Sequence, residues 1–108
     1  MKKILLLEKN PLVMLCMKKI LHDHGSFFYH FSGEEMTLGP FQEWDIDAVI
    51  ADEKTVKEFY PDLIPALKLF STVIMTTEGL SDLPHSKIIK KPFSPQEMIQ
   101  IFKELKFI

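Results

Sequence analysis

Residues 47–52 read Asp47-Ala48-Val49-Ile50-Ala51-Asp52. Four apolar residues between two carboxylates are too few for a helix and fit a short strand buried on both faces. Asp52 closes that strand at its C-terminal end. Two later runs follow the same plan. Thr72-Val73-Ile74-Met75 ends at Thr76, and Lys87-Ile88-Ile89-Lys90 ends at Lys91. In an open α/β sheet the carboxyl ends of parallel strands border the ligand crevice. A carboxylate, a hydroxyl and an amine delivered there suit the holding and sensing of a phosphoryl group.

Outward from this stretch, strand-like and helix-like segments alternate. Lys3–Glu8 is a short apolar first strand. Asn10-Pro11 supplies an N-cap with proline at the first helical position, opening a helix to Asp23. Val13, Cys16, Met17, Ile20 and Leu21 recur at three- and four-residue steps as its core face. Gly25 is placed to end it in a left-handed cap. The aromatic run within Ser26–Phe31 reads as a second, core strand. Gly33–Trp44 predicts a short second helix broken early by Gly39-Pro40. Lys54–Phe70 is helical but interrupted by Pro61 and Pro65. Thr77–Ser86, with Gly79 and Pro84, leaves room for one turn of helix at most. Ser94-Pro95-Gln96-Glu97 is a capping box. It starts a last helix with Met98, Ile101, Phe102 and Leu105 on one face.

This order predicts an α/β fold in one domain spanning residues 1–108. It is a flavodoxin-like three-layer sandwich with a five-stranded parallel sheet of order 2-1-3-4-5. Helices cover both faces, and the fourth helix is reduced. Glu8 and Asp52 then meet at the switch point between strands one and three.

Composition excludes several function classes. With 13 basic and 15 acidic residues, net charge −2, the chain has no field that would draw it to nucleic acid. No run approaches the ~18 apolar residues of a membrane span, and the apolar core of Met1–Leu7 is too short for a signal peptide. The chain is therefore expected to be cytoplasmic, with no membrane and no nucleic acid among its partners. The single Cys16 precludes an internal disulfide and reads as packing. His22, His24, His30 and His85 form no metal-ligand pattern. No phosphate-cradling glycine loop follows strand one.

Asp52, Thr76, Lys91-Pro92-Phe93 and Gly33-Glu34-Glu35, set in this order of elements, resemble the receiver domains of two-component response regulators. The resemblance covers nearly the whole chain. It implies that Asp52 stands at the phospho-acceptor position. Thr76 and Lys91 are then the phosphoryl-contacting residues, and Pro92 is the family's cis-proline. Glu8 belongs to an acidic pocket that holds Mg2+ in the family. The implied partner is a histidine kinase or other signalling protein, and a homodimer is compatible.

The chain also departs from the family pattern. The acidic pair is Glu8-Lys9, so a base replaces the second acid. Asp52 is followed by Glu53-Lys54-Thr55-Val56, without the usual Met-Pro and Asp-Gly. Ile88 replaces the switch aromatic, and a β-branched residue has no ring to swing. Two acids against two bases remove the electrostatic reason for a divalent cation, so Mg2+ at Glu8 and Asp52 is expected to be weak or absent. Lys9 is expected to occupy the metal position and pair with Asp52; the alternative is a surface lysine at the start of a loop, leaning away from the pocket. At ~4 Å and an effective dielectric near 20 that attraction is about 4 kcal/mol before desolvation. Glu53, just past the strand end, either restores some acidity to the pocket or faces solvent, and the second is the expectation. The module is read as stand-alone, working through protein–protein interaction and not as an enzyme. Three readings compete. One is a phosphorylatable receiver in a phosphorelay. Another is a phosphorylation-independent pseudo-receiver used as a docking scaffold. The last is an unrelated flavodoxin-like enzyme, which would need a deep apolar pocket beside the strand ends.

Overall fold

The computed structural model describes residues 3–33 and 45–108. The expected second helix and the Glu34-Glu35 part of the motif lie outside the described residues. Five strands form one parallel sheet of order β2-β1-β3-β4-β5. They are β1 (Lys3–Leu7), β2 (Phe27–Phe31), β3 (Ala48–Asp52), β4 (Ser71–Thr76) and β5 (Lys87–Lys90). Between and after them lie α1 (Pro11–Asp23), α2 (Glu53–Phe59), a 3₁₀ helix (Pro61–Leu69) and α3 (Pro95–Glu104).

Each boundary has a local cause. The Asn10 side chain accepts the Leu12 and Val13 N–H groups, with Pro11 at the first position of α1. Gly25, at φ 73°, carries the chain out of that helix in the left-handed conformation. Tyr60-Pro61 splits the middle helical segment in two, and the second piece, with Pro65 inside it, is wound as 3₁₀. Proline lacks the N–H that a continuous α-helix would require. The Ser94–Glu97 capping box forms as the sequence predicts. The Lys91-Pro92 peptide is cis. No helix forms between Thr77 and Ser86, and the buried Leu83 anchors that segment to the core.

Alternation along the central strands divides the core. Ile4, Leu6, Ile50 and Met75 face α1 and α3. Leu5, Leu7, Val49 and Ile74 face α2 and the 3₁₀ helix. β3 is buried along its whole length, as its apolar run requires. Two sequence expectations need correction. Met14 joins the buried face of α1, whereas Val13 and Cys16 sit half-buried at its margin. Phe27–Phe31 is no core strand. The sheet order puts β2 at an edge, and none of its five residues is fully buried.

The end of β2 is tied to α2. The Gly33 N–H donates to the Tyr60 hydroxyl at 3.0 Å. A Cβ at Gly33 would stand 2.7 Å from the Phe59 ring, so this close approach needs glycine.

Leu6 is fully buried, whereas Leu15 is 64% exposed on the outer side of α1. Leu6→Ala should lower the unfolding free energy by about 3 kcal/mol, and Leu15→Ala by less than about 0.5 kcal/mol. Urea denaturation of the two variants checks this contrast.

Candidate functional site

The register of the sheet brings the C-terminal ends of β1, β3, β4 and β5 to one edge. Glu8, Asp52, Thr76 and Lys91 therefore converge, although they are far apart in sequence. Together with Lys9 and Glu53 they line a cavity of about 230 Å³. Seven of the ten residues that line it carry charged side chains.

Lys91 is the centre of the cluster. Its Nζ donates to Glu8 Oε1 at 2.5 Å and to Asp52 Oδ1 at 2.9 Å. Glu8 is 1% exposed and Asp52 7%. Charge-assisted hydrogen bonds of this length are the strong kind. Burial works against the Lys91 ammonium, but its hydrogen bonds to Glu8 and Asp52 outweigh this and hold its pKa above the ordinary value.

Glu8 is in the opposite condition. Its Oε2 is buried without a hydrogen-bond partner. Burial raises the Glu8 pKa from 4.5 to about 7, and the Asp52 charge adds to the rise while Lys91 opposes it.

The second oxygen of Asp52 is also engaged. Oδ2 accepts the Thr55 N–H at 2.9 Å and the Thr55 hydroxyl at 2.8 Å. Asp52 is thus the N-cap of α2, which begins at the very next residue. The fully buried Thr55 is the partner of Asp52 that sequence reasoning missed. Its signal was there in Asp52-x-x-Thr55 with no proline or glycine between, a spacing that lets a helix start at once. Thr55 Oγ1 also accepts the Lys9 N–H at 3.2 Å, which ties the loop after β1 to α2.

That tie corrects the expectation for Lys9. Lys9 lies on the rim of the cavity, but its ammonium does not pair with Asp52. It bonds Glu58 Oε2 at 3.2 Å and stands 5.8 Å from the centroid of the Phe59 ring. With its peptide fixed against Thr55, the side chain runs along the outer flank of α2, and Lys91 already neutralises Asp52. Glu53 needs correction too. Its side chain is only 14% exposed and is turned toward the end of β4 and the segment after it, where Thr76 and Ser81 contact it.

No family model matches the chain, and no curated protein matches its sequence. Solved structures do match in fold, and they are receiver domains. Chemotaxis protein CheY4 of Vibrio cholerae is 21% identical, with a TM-score of 0.74 over 97% of this chain and 98% of that one. Response regulator TrrA of Thermotoga maritima, solved in complex with Mg2+ and BeF, is 24% identical, with a TM-score of 0.73 over 97% and 99%. A response regulator receiver domain from Clostridium thermocellum is 21% identical, with a TM-score of 0.73 over 97% and 94%. The chain therefore has the receiver fold over nearly its whole length.

Two outcomes follow from this geometry. Because the folded-state pKa of Glu8 lies above its unfolded value, the protonated form favours the fold. Its contribution is full below pH 4.5 and is lost as pH rises through about 7. Wild type should lose stability relative to Glu8→Gln across that window, and urea melts at several pH values check it. Thr55→Val should cost about 1–2 kcal/mol, because the buried Asp52 Oδ2 loses one of its two donors and the Lys9 N–H loses its acceptor. Thr55→Ser should retain most of it in the same assay.

Proposed function

We propose that this chain is a receiver-fold signalling module that acts by binding a protein partner without being phosphorylated at Asp52. The observation that carries the reading is the state of the Asp52 carboxylate. One oxygen serves Lys91 and the other serves Thr55 as a helix cap. A phospho-acceptor must present an oxygen lone pair in line with the donor phosphorus. At Asp52 the Thr55 cap takes both lone pairs of Oδ2, and the Lys91 ammonium takes one of Oδ1 and draws charge from the nucleophile that is left.

The residues present do not suit a divalent cation either. Magnesium takes hard oxygen ligands in near-ideal octahedral geometry. Here the Lys91 ammonium already lies between the two carboxylates that would provide them. Burial drives Glu8 toward its neutral form, and Lys9 stands at the place of the family's second acid. Among the described residues no group of three or more His, Cys, Asp or Glu side chains could hold a metal ion. The phosphorelay receiver stays as the second reading, favoured by Thr76 and Lys91, which border the same cavity as Asp52.

No helix among the described residues is long and apolar enough to cross a membrane. We place the module in the cytoplasm, with a histidine kinase or another signalling protein as its partner class. Intact-mass spectrometry after incubation with acetyl phosphate, with and without magnesium chloride, separates the two readings. The expected result is no phosphoryl adduct in either condition. A magnesium-dependent adduct that disappears in Asp52→Asn would establish the second reading instead.

A further inference from the structure

Receivers of the family pattern relay through an aromatic residue in strand five, and this chain has Ile88 there. The structure contains a different connection between the Asp52 pocket and the protein surface. Glu53 follows Asp52 directly and is the first residue of α2. Its Oε2 accepts the Ser81 hydroxyl, and its Oε1 stands 3.5 Å from the Thr76 hydroxyl.

Each of these hydroxyls also accepts a backbone N–H from the segment after β4. The Glu78 N–H donates to Thr76 Oγ1 at 3.2 Å, and the Leu83 N–H donates to Ser81 Oγ at 3.1 Å. A hydroxyl has one proton and two lone pairs. With the proton directed at Glu53, the lone pairs are left for the amides. One turn along α2, Lys57 bonds Asp82 at 2.9 Å and completes the clasp. The 78–83 stretch has no helix of its own, and the hydroxyls that receive its Glu78 and Leu83 amides both bond the Glu53 carboxylate.

We propose that Glu53 couples the Asp52 pocket to the 78–83 surface. The Asp52 cap fixes the first turn of α2, that turn fixes the Glu53 carboxylate, and the carboxylate sets the backbone of 78–83. Such a linkage does not require phosphorylation, and it makes 78–83 the surface that reports the state of the pocket. It goes beyond the reading of Asp52 as a fixed cap, because it names the element that would move if the cap were disturbed.

A double-mutant cycle read by amide hydrogen exchange tests the coupling. Asp52→Ala removes the cap, and the amides of Glu78 and Leu83 report. In the chain carrying Glu53, their exchange should accelerate about fivefold or more. In the Glu53→Ala background, the same Asp52→Ala change should add less than about twofold. Glu53→Gln serves as the background if the alanine variant does not fold. Unchanged exchange on Asp52→Ala alone overturns the proposal, as does an equal acceleration in both backgrounds. Neither phosphodonor nor metal is present in this experiment. Its failure is therefore separate from an adduct appearing at Asp52 under acetyl phosphate.

Discussion

The pocket depends on one ammonium. Lys91 reaches in from the end of β5 and meets Glu8 from β1 and Asp52 from β3. Two carboxylates this close and this buried could not share the site without a cation. The Lys91 ammonium supplies that cation, and burial leaves Glu8 with a pKa raised to about 7. The ion pair is weak as a source of net stability, since desolvating its members offsets much of their attraction. Its stronger effect is on specificity, because it fixes where three strand ends must lie relative to one another.

Around that ammonium the structure uses short-range devices. Asp52 caps α2, Thr55 completes the cap and catches the Lys9 peptide, and Glu53 catches the segment after β4. No residue separates β3 from α2. Without proline or glycine in Glu53-Lys54-Thr55-Val56, nothing delays helix formation, and the carboxylate at the strand end becomes an N-cap.

Much of the fold was legible in the sequence because its signals are local. Asn10-Pro11 and Ser94-Pro95 mark the helix starts, and the apolar runs at 48–52 and 87–90 coincide with observed strands. The sheet order followed from right-handed crossovers and the alternation of elements. The convergence of Glu8, Asp52, Thr76 and Lys91 followed in turn from that order. Side-chain directions were not legible. A lysine has four rotatable carbons, and nothing in Glu8-Lys9-Asn10 says whether its ammonium turns to Asp52 or to Glu58. The inward turn of Glu53 depends on Ser81, 28 positions away, and on the path of a segment that has no regular structure. The edge position of β2 was implied by the predicted order, but its aromatic content suggested a core strand. Hydrophobicity says that a strand packs against something; the topology decides how much of it is covered.

The central claim is that the Lys91 ammonium is held by both pocket carboxylates firmly enough to keep a divalent cation from them. The side-chain nitrogen signal of Lys91 tests it most directly, followed by NMR together with the carboxyl carbons of Glu8 and Asp52 while magnesium chloride is added. The account expects a slowly exchanging Lys91 ammonium whose connection to both carboxyl groups persists through the titration. Loss of that connection, with the Asp52 carboxyl carbon shifting saturably as magnesium binds, would contradict it.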